Sequence, residues 1–133
     1  MTGQTLNQGL IVDDSAVIRR VASRILELIG FASAETDDGV KALDYCGKAM
    51  PDFILLDWNI PETDSVELVR NLRRLPGGGQ VKIIYCATEN DPMMIGRALR
   101  AGADDVLLKP FDRRAIQEKL EDVGVIESQA QAS

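Results

Sequence analysis

Histidine is absent from the 133 residues of this chain. Its absence excludes a Ser-His-Asp triad, a Cys-His dyad, a histidine-ligated zinc and a phosphohistidine on this chain. Cysteine is scarce, and Cys46 and Cys86 stand in no metal-binding spacing, so we interpret both as small buried side chains in a reducing compartment. The chemistry of the chain must therefore depend on carboxylates, lysine, hydroxyls or thiols.

Long hydrophobic runs and a basic charge balance are absent as well. No apolar stretch approaches the ~18 residues of a membrane span, and the first residues lack the basic and apolar regions of a secretory signal. The 15 basic and 21 acidic residues give a formal charge of -6, whereas a nucleic-acid surface needs an excess of basic side chains. We expect a cytoplasmic protein with no membrane and no nucleic-acid partner.

The composition that is present predicts one folded domain. Apolar residues make up 45% of the chain and charged residues 27%, which is typical of a globular protein. A length of 133 residues falls within the common range for a single domain. We place a flexible polar tail at residues 1–8, the domain at residues 9–126 and a second flexible tail at residues 127–133.

Short apolar runs alternate with amphipathic segments along this domain. In the second amphipathic segment, Val40, Ala42 and Leu43 are expected to face the core. Gly30 and Gly102 are expected to end helices, and Asp91 and Asp112 to begin them. The predicted strands are residues 10–12, 32–36, 53–56, 81–86 and 106–108, and the predicted helices are 18–29, 38–50, 66–75, 92–101 and 113–123.

Five strand-helix units joined by short connections predict an α/β fold. Strands that are apolar throughout indicate a parallel sheet covered by helices on both faces. Five units are too few for an eight-stranded barrel. The predicted architecture is therefore a flavodoxin-like, doubly wound sheet of five parallel strands in the order 2-1-3-4-5, with five helices distributed over its two faces.

Charged residues follow three of the predicted strands. Asp13 and Asp14 come after the first strand, Asp57 ends the third and Lys109 follows the fifth. In this strand order the first and third strands are neighbours, so their carboxylates should converge at the carboxyl edge of the sheet. Taken singly, each residue has an ordinary alternative role as a helix cap or a turn residue.

Three converging carboxylates would repel one another, and a hard divalent cation resolves that repulsion. Mg²⁺ favours a few carboxylates, water and a phosphate oxygen as its ligands. Lys109 would supply a positive charge to the same phosphate. Because the chain has no histidine, Asp57 is the best candidate for a nucleophile that forms an aspartyl phosphate.

Five segments of the chain carry a family resemblance. They are Ile11-Val12-Asp13-Asp14-Ser15, Asp38-Gly39-Val40-Lys41-Ala42-Leu43, Asp57-Trp58-Asn59-Ile60-Pro61, Ala101-Gly102-Ala103-Asp104-Asp105 and Lys109-Pro110-Phe111. With these segments the sequence resembles a bacterial response-regulator receiver domain of the single-domain, chemotaxis (CheY-like) kind. The resemblance covers roughly residues 9–125.

The resemblance implies a role for each residue of the acidic site. Asp57 would be the phosphoacceptor. Asp14 and Asp57 would bind Mg²⁺ directly, together with the backbone carbonyl of Asn59, and Asp13 would act close by, through water. Lys109 would contact the phosphoryl group.

The resemblance also implies the partners. The donor would be a phosphohistidine on a histidine kinase or a histidine phosphotransfer protein, and an effector protein would be the target. The bond between Lys109 and Pro110 would be cis. We expect a monomer, with dimer formation on activation left open. We expect no enzyme activity beyond self-phosphotransfer and self-dephosphorylation.

The chain departs from the family pattern at three positions. Receivers carry Thr or Ser at the end of the fourth strand, where counting back from Lys109 places Ala87, with Thr88 one residue later. Either Ala87 or a shifted Thr88 could fill this position. Val106 replaces the usual aromatic residue, and Ser65 replaces a common glycine. We infer that the phosphorylation chemistry is kept while the usual coupling between the Thr and the aromatic ring is altered.

Several functions stay open on the sequence alone. Few residues follow the last predicted helix, so we expect a stand-alone regulator, with chemotaxis or motility as the candidate pathway. A relay intermediate and a phosphate sink are alternatives. An aspartate-nucleophile phosphatase would carry an Asp-x-Asp pair, whereas Asn59 occupies the second position here. A flavin or nucleotide carrier would use the same fold.

Overall fold

A computed structural model describes residues 7–126, which alternate between strand and helix from end to end. The predicted fold class is confirmed: the five strands form one parallel sheet in the order 2-1-3-4-5. The strands are β1 Gln8–Val12, β2 Ala32–Thr36, β3 Phe53–Asp57, β4 Lys82–Ala87 and β5 Asp105–Leu108, and the helices are α1 Ala16–Ile29, α2 Gly39–Lys48, α3 Ser65–Arg74, α4 Pro92–Ala101 and α5 Arg113–Asp122.

Each helix begins at a short polar residue whose side chain accepts a hydrogen bond from a backbone N–H of the first turn. These caps satisfy donors that have no partner inside the helix. Gly30 and Gly102 end α1 and α4 with φ values of 111° and 127°, which glycine adopts without strain. The caps are Ser15, Asp38, Asp64, Asp91 and Asp112.

Alternate residues of the central strands pack on opposite faces of the sheet. Leu10, Ile54 and Tyr85 belong to a core that α2, α3 and α4 cover, whereas Ile11 and Leu55 belong to a core covered by α1 and α5. This is the two-sided burial expected of a doubly wound sheet. Among residues 7–126, none of the helices is both long enough and apolar enough to cross a membrane.

The two cysteines are buried and free, one in each core, as the sequence predicts. Burial raises the pKa of the Cys46 thiol to about 11 and that of the Cys86 thiol to about 12. Both side chains therefore stay as neutral thiols near neutral pH, and neither is a nucleophile.

Two predictions differ from the structure. Gln8 belongs to β1 instead of a tail, because it pairs with Ala32 and its N–H donates to Asp52 Oδ2 at 2.7 Å. Val40 does not face the core: it is 78% exposed. The inward stripe of α2 includes Ala42 and Cys46, and a residue two positions before Ala42 lies about 200° around the helix.

The prediction of flexible tails otherwise concerns residues 1–6 and 127–133, which lie outside the described residues.

Candidate functional site

The carboxyl ends of β1 and β3 bring three aspartates together. Val12 and Leu56 are partners in the register of these neighbouring strands, so the residues that follow them lie side by side. One carboxylate oxygen from each of Asp13, Asp14 and Asp57 lies within 4.8 Å of the others. The structure therefore assembles the acidic cluster that the strand order predicts.

Lys109 enters the same cluster from the end of β5. Its backbone N–H donates to Ala87 O at 2.7 Å, and its peptide bond to Pro110 is cis. Its Nζ donates a hydrogen bond to Asp13 Oδ2 at 2.7 Å and lies 2.6 Å from Asp57 Oδ1. The two aspartate side chains are buried, at 5% exposure each, and that of Lys109 is partly buried, at 13%.

Asp57 Oδ1 is a buried oxygen whose one close partner is an ammonium. The Nζ of Lys109 lies 2.6 Å from it, and within residues 7–126 no other group donates a hydrogen bond to this oxygen. Burial raises the pKa of Asp57, and the charge of Asp13 adds to the rise, while Lys109 opposes it. Lys109 therefore compensates the ionised form of Asp57 only in part, and a further cation would favour that form.

Lys109 remains an ammonium in this setting. Burial by itself would lower its pKa, but the contacts with Asp13 and Asp57 outweigh burial and raise the pKa above its ordinary value. A single buried cation therefore faces two carboxylates, and the third, Asp14, is left without it.

The residues fit a magnesium ion. Within the described part of the chain, Asp57 is buried with only Lys109 as a close partner of its Oδ1 atom, and Asp14 is exposed and has no ion pair with Lys109. Asp13 is already held, because its Oδ1 accepts a hydrogen bond from the Ser15 N–H at 2.9 Å. This set offers hard oxygen ligands that open toward water, which is the arrangement Mg²⁺ prefers. Asn59 lies two residues after Asp57 with an exposed side chain, and its carbonyl as a ligand stays a prediction.

Thr88 is not drawn into the cluster in this structure. Ala87 is the last residue of β4 and fully buried, whereas Thr88 follows the strand with its side chain exposed. The hydrogen bonds that join the site residues within 7–126 do not include Thr88. Its predicted role in sensing the phosphoryl group therefore stays a prediction. Val106, which replaces the usual aromatic residue, is partly buried against the core that contains Tyr85.

The sequence did not identify a buried pair of hydroxyls that contacts the backbone of Trp58, the residue after Asp57. Ser65 Oγ lies 2.6 Å from Tyr85 Oη and donates to the carbonyl oxygen of Trp58 at 2.8 Å. The only signals in the sequence were a serine in place of a glycine and a tyrosine inside an apolar strand. Neither signal reveals that the two side chains meet, because 20 positions separate them along the chain.

Comparison with known proteins gives one consistent result. The family described as "Response regulator receiver domain" matches residues 10–121. A chemotaxis protein CheY homolog of Campylobacter jejuni is 36% identical over 116 residues, which cover 86% of this chain and 89% of that protein.

Solved structures agree in fold. The chemotaxis response regulator CheY4 of Vibrio cholerae superposes with a TM-score of 0.84 at 31% identity, covering 90% of this chain and 99% of that one. The receiver domain of a sensor histidine kinase from Pseudomonas aeruginosa, which holds a magnesium ion in its active-site cleft, has a TM-score of 0.82 at 28% identity, covering 90% and 99%.

Proposed function

This chain belongs to the response regulator receiver domain family, and we propose that Asp57 accepts a phosphoryl group, in a Mg²⁺-dependent reaction, from a phosphohistidine on a partner protein. The family takes phosphoryl groups from histidine kinases and acts on effectors. Its CheY-like relatives make chemotaxis or motility the pathway that we favour for this chain. A relay intermediate and a phosphate sink use the same chemistry and differ only in the later fate of the phosphoryl group.

One observation carries the proposal. The buried Asp57 stands with two further carboxylates, Asp13 and Asp14, around a single ammonium, that of Lys109. Carboxylates that serve only the fold are normally balanced by cations and by N–H or O–H donors. This cluster instead has one negative charge or more in excess, which favours the uptake of a divalent cation and of an electrophile at Asp57.

The reaction follows from the charges of these residues. A carboxylate oxygen of Asp57 attacks the phosphorus, the bond between phosphorus and the imidazole nitrogen breaks, and its electron pair stays on the imidazole, leaving an acyl phosphate on Asp57. Lys109 pairs with the oxygens of the transferred group. Asp14 and Asp57, with Asp13 and the carbonyl of Asn59, would hold Mg²⁺, which when bound offsets the repulsion between the carboxylates and the phosphoryl oxygens.

The consequence of phosphorylation would be a change in binding surface, not turnover of a second substrate. The acyl phosphate adds charge and acceptor oxygens, so Lys109 would leave Asp13 for the new group. Because Lys109 N–H is bonded to Ala87 O, that movement would affect the ends of both β4 and β5. An effector protein would then recognise the surface formed by α4, β5 and α5.

A phosphatase is less consistent with the site. An aspartate-nucleophile phosphatase needs a second acid two residues after the nucleophile, and Asn59 there cannot supply a proton in that way. We therefore propose a phosphoacceptor whose only further chemistry is hydrolysis of its own acyl phosphate.

The test is phosphotransfer from a phosphorylated histidine kinase, followed by intact mass and by lability to hydroxylamine. We expect wild type to gain one phosphoryl group only when Mg²⁺ is present. Asp57→Asn should gain none. The matched control is Asp44→Asn, which changes an exposed aspartate of α2 and should behave as wild type. Equal labelling of Asp57→Asn would contradict the proposal.

A further inference from the structure

Two buried hydroxyls form a chain behind the phosphoacceptor. Tyr85 is 1% exposed and Ser65 6%. Their oxygens lie 2.6 Å apart, and Ser65 Oγ also lies 2.8 Å from the carbonyl oxygen of Trp58. Trp58 is the residue directly after Asp57. The chain therefore runs from the middle of β4, through the first residue of α3, to the backbone next to the site.

The direction of these hydrogen bonds is fixed by counting protons. A serine hydroxyl has one proton, and Ser65 donates it to Trp58 O. In the short contact between the hydroxyls, Tyr85 must then be the donor and Ser65 the acceptor. Burial raises the pKa of Tyr85 above its ordinary value, so the phenol keeps this proton near neutral pH. Hydrogen bonds aligned in this way polarise one another.

The chain completes the restraint on the backbone of Trp58. Its N–H donates to Cys86 O on β4 at 2.8 Å, and its carbonyl accepts from Ser65. That carbonyl belongs to the peptide bond that joins Trp58 to Asn59. Its orientation therefore helps to set where the next carbonyl, that of Asn59, points.

We infer that Tyr85 and Ser65 are positioning residues, which hold the peptide between Trp58 and Asn59 so that the backbone carbonyl of Asn59 faces the metal site. This inference rests on the proposed function, because it assumes that the acidic cluster binds Mg²⁺. It adds to that function a role for a core side chain: Tyr85 of β4 would stabilise the metal site through Ser65.

Tyr85 lies on the same face of β4 as the strand end next to the site. Tyr85 and Ala87 lie on the same face of β4, because side chains two apart in a strand point the same way. Ala87 has no hydroxyl to offer at the end of the strand. Tyr85 is the hydroxyl residue of β4, and it reaches the site only through Ser65.

The test measures Mg²⁺ affinity from the fluorescence of Trp58, the chain's single tryptophan. We expect Ser65→Ala to raise the midpoint of the Mg²⁺ titration by about three- to tenfold, since supporting hydrogen bonds commonly change metal affinity on this scale or more. Tyr85→Phe should raise the midpoint about twofold to fivefold, as expected for the loss of one net hydrogen bond.

Tyr45→Phe is the matched control, because Tyr45 is the other tyrosine of the chain and packs half-buried against the same core. It should leave the midpoint unchanged.

A double-mutant cycle separates positioning from general loss of packing. Because the phenol acts through the serine, Tyr85→Phe should have no further effect in the Ser65→Ala background. Amide hydrogen exchange without Mg²⁺ gives a second measurement, in which both variants should exchange the Asn59 amide severalfold faster than wild type. General unfolding of a variant would be recognised by faster exchange throughout the sheet. Ser65→Thr is a second control: it keeps the hydroxyl, so its Mg²⁺ midpoint should equal that of wild type.

The outcomes distinguish the two proposals. Wild-type midpoints in both variants, or additive effects in the cycle, would overturn the positioning role while leaving phosphotransfer to Asp57 untouched. A wild-type protein whose Trp58 fluorescence does not respond to Mg²⁺, and which gains no phosphoryl group, would contradict the proposed function, and the positioning role with it.

Discussion

At Asp57, burial and charge oppose each other. It is 5% exposed, its Oδ1 atom has only the Lys109 ammonium as a close partner among the described residues, and its neighbour Asp13 has the same charge. Lys109 offsets this conflict only in part, since the pKa of Asp57 remains above its ordinary value. Because the carboxylates outnumber the cations, the site favours binding of a further cation. The unbalanced negative charge also lowers the stability of the fold.

The pH dependence of stability tests this reasoning at the residue scale. Because the folded state raises the pKa of Asp57 above the unfolded value of 3.8, folding favours the protonated form. Ionisation therefore destabilises the folded state: the cost is absent below the unfolded pKa and grows as the pH rises through the folded pKa. We expect Asp57→Asn, without Mg²⁺, to raise the free energy of unfolding at neutral pH by on the order of 1 kcal/mol. The difference should vanish below the unfolded pKa.

Urea denaturation in a chelator, followed from about pH 3 to about pH 7, measures this effect. Asp44→Asn is the control, because the exposed pair between Asp44 and Lys48 should be worth less than about 0.5 kcal/mol at any pH. A difference between Asp57→Asn and wild type that does not change with pH would contradict the assignment of the effect to this carboxyl.

The residues that the sequence could identify are those at strand ends. Asp13, Asp14, Asp57 and Lys109 follow three apolar runs, and the strand order alone brings their backbones together. Side-chain contacts across helices could not be derived in this way. The contact between Ser65 and Tyr85 depends on the rotation of α3 against the sheet, which periodicity fixes only coarsely.

Among the elements, the C-terminal end of α3 is held to its surroundings by the side chain of Arg73. Arg73, in its last turn, donates to the carbonyl oxygens of Gly78 and Val81 at 2.8 and 2.6 Å, to the carbonyl of Gly102 at the end of α4, and to Asp104 Oδ2 at 2.8 Å. The guanidinium thus joins the connection after α3 to the segment that leads into β5. Its planar fork satisfies acceptors in several directions at once.

Arg73→Lys should therefore be costly although it keeps the charge. An ammonium cannot reach all of these acceptors, and several partly buried carbonyls would lose their donor. We expect a loss of about 2 kcal/mol in the free energy of unfolding, measured by urea denaturation. Arg70→Lys, on the same helix, changes an exposed pair with Glu67 and should cost less than about 0.5 kcal/mol. Similar costs for the two variants would show that the fork of Arg73 is unimportant.

The order and type of the elements could be predicted because every strand ends at a turn signal. Their edges differ by one or two residues: β4 extends to Ala87 and β5 begins at Asp105, while α1 begins at Ala16 and α2 ends at Lys48. The larger error, at Val40, arose because the apolar residues of α2 are spread around much of this short helix, which allows more than one choice of inward face. The second strand had the weakest pattern because β2 lies at the edge of the sheet, where half of its side chains need not be apolar.

At the scale of the whole molecule, the acidic cluster and the net charge of -6 have to be considered together. Any salt screens the general repulsion among surface carboxylates. Only a cation bound at the cluster would also relieve the repulsion between Asp13, Asp14 and Asp57. A specific metal site and a generally acidic surface therefore predict different responses to Mg²⁺ and to Na⁺.

Thermal unfolding at constant ionic strength separates these two effects. A ligand that binds only the folded state, at ten times its dissociation constant, stabilises it by about 1.4 kcal/mol, which for a domain of this size raises the midpoint by about 3–6 °C. We expect Mg²⁺ to give this rise in wild type and in Asp44→Asn, and NaCl to give much less. Asp14→Asn should lose most of the rise, because Asp14 is the carboxylate that Lys109 leaves free. If NaCl matched Mg²⁺, or if Asp14→Asn kept the full rise, the acidic cluster would be part of the general surface charge and not a metal site.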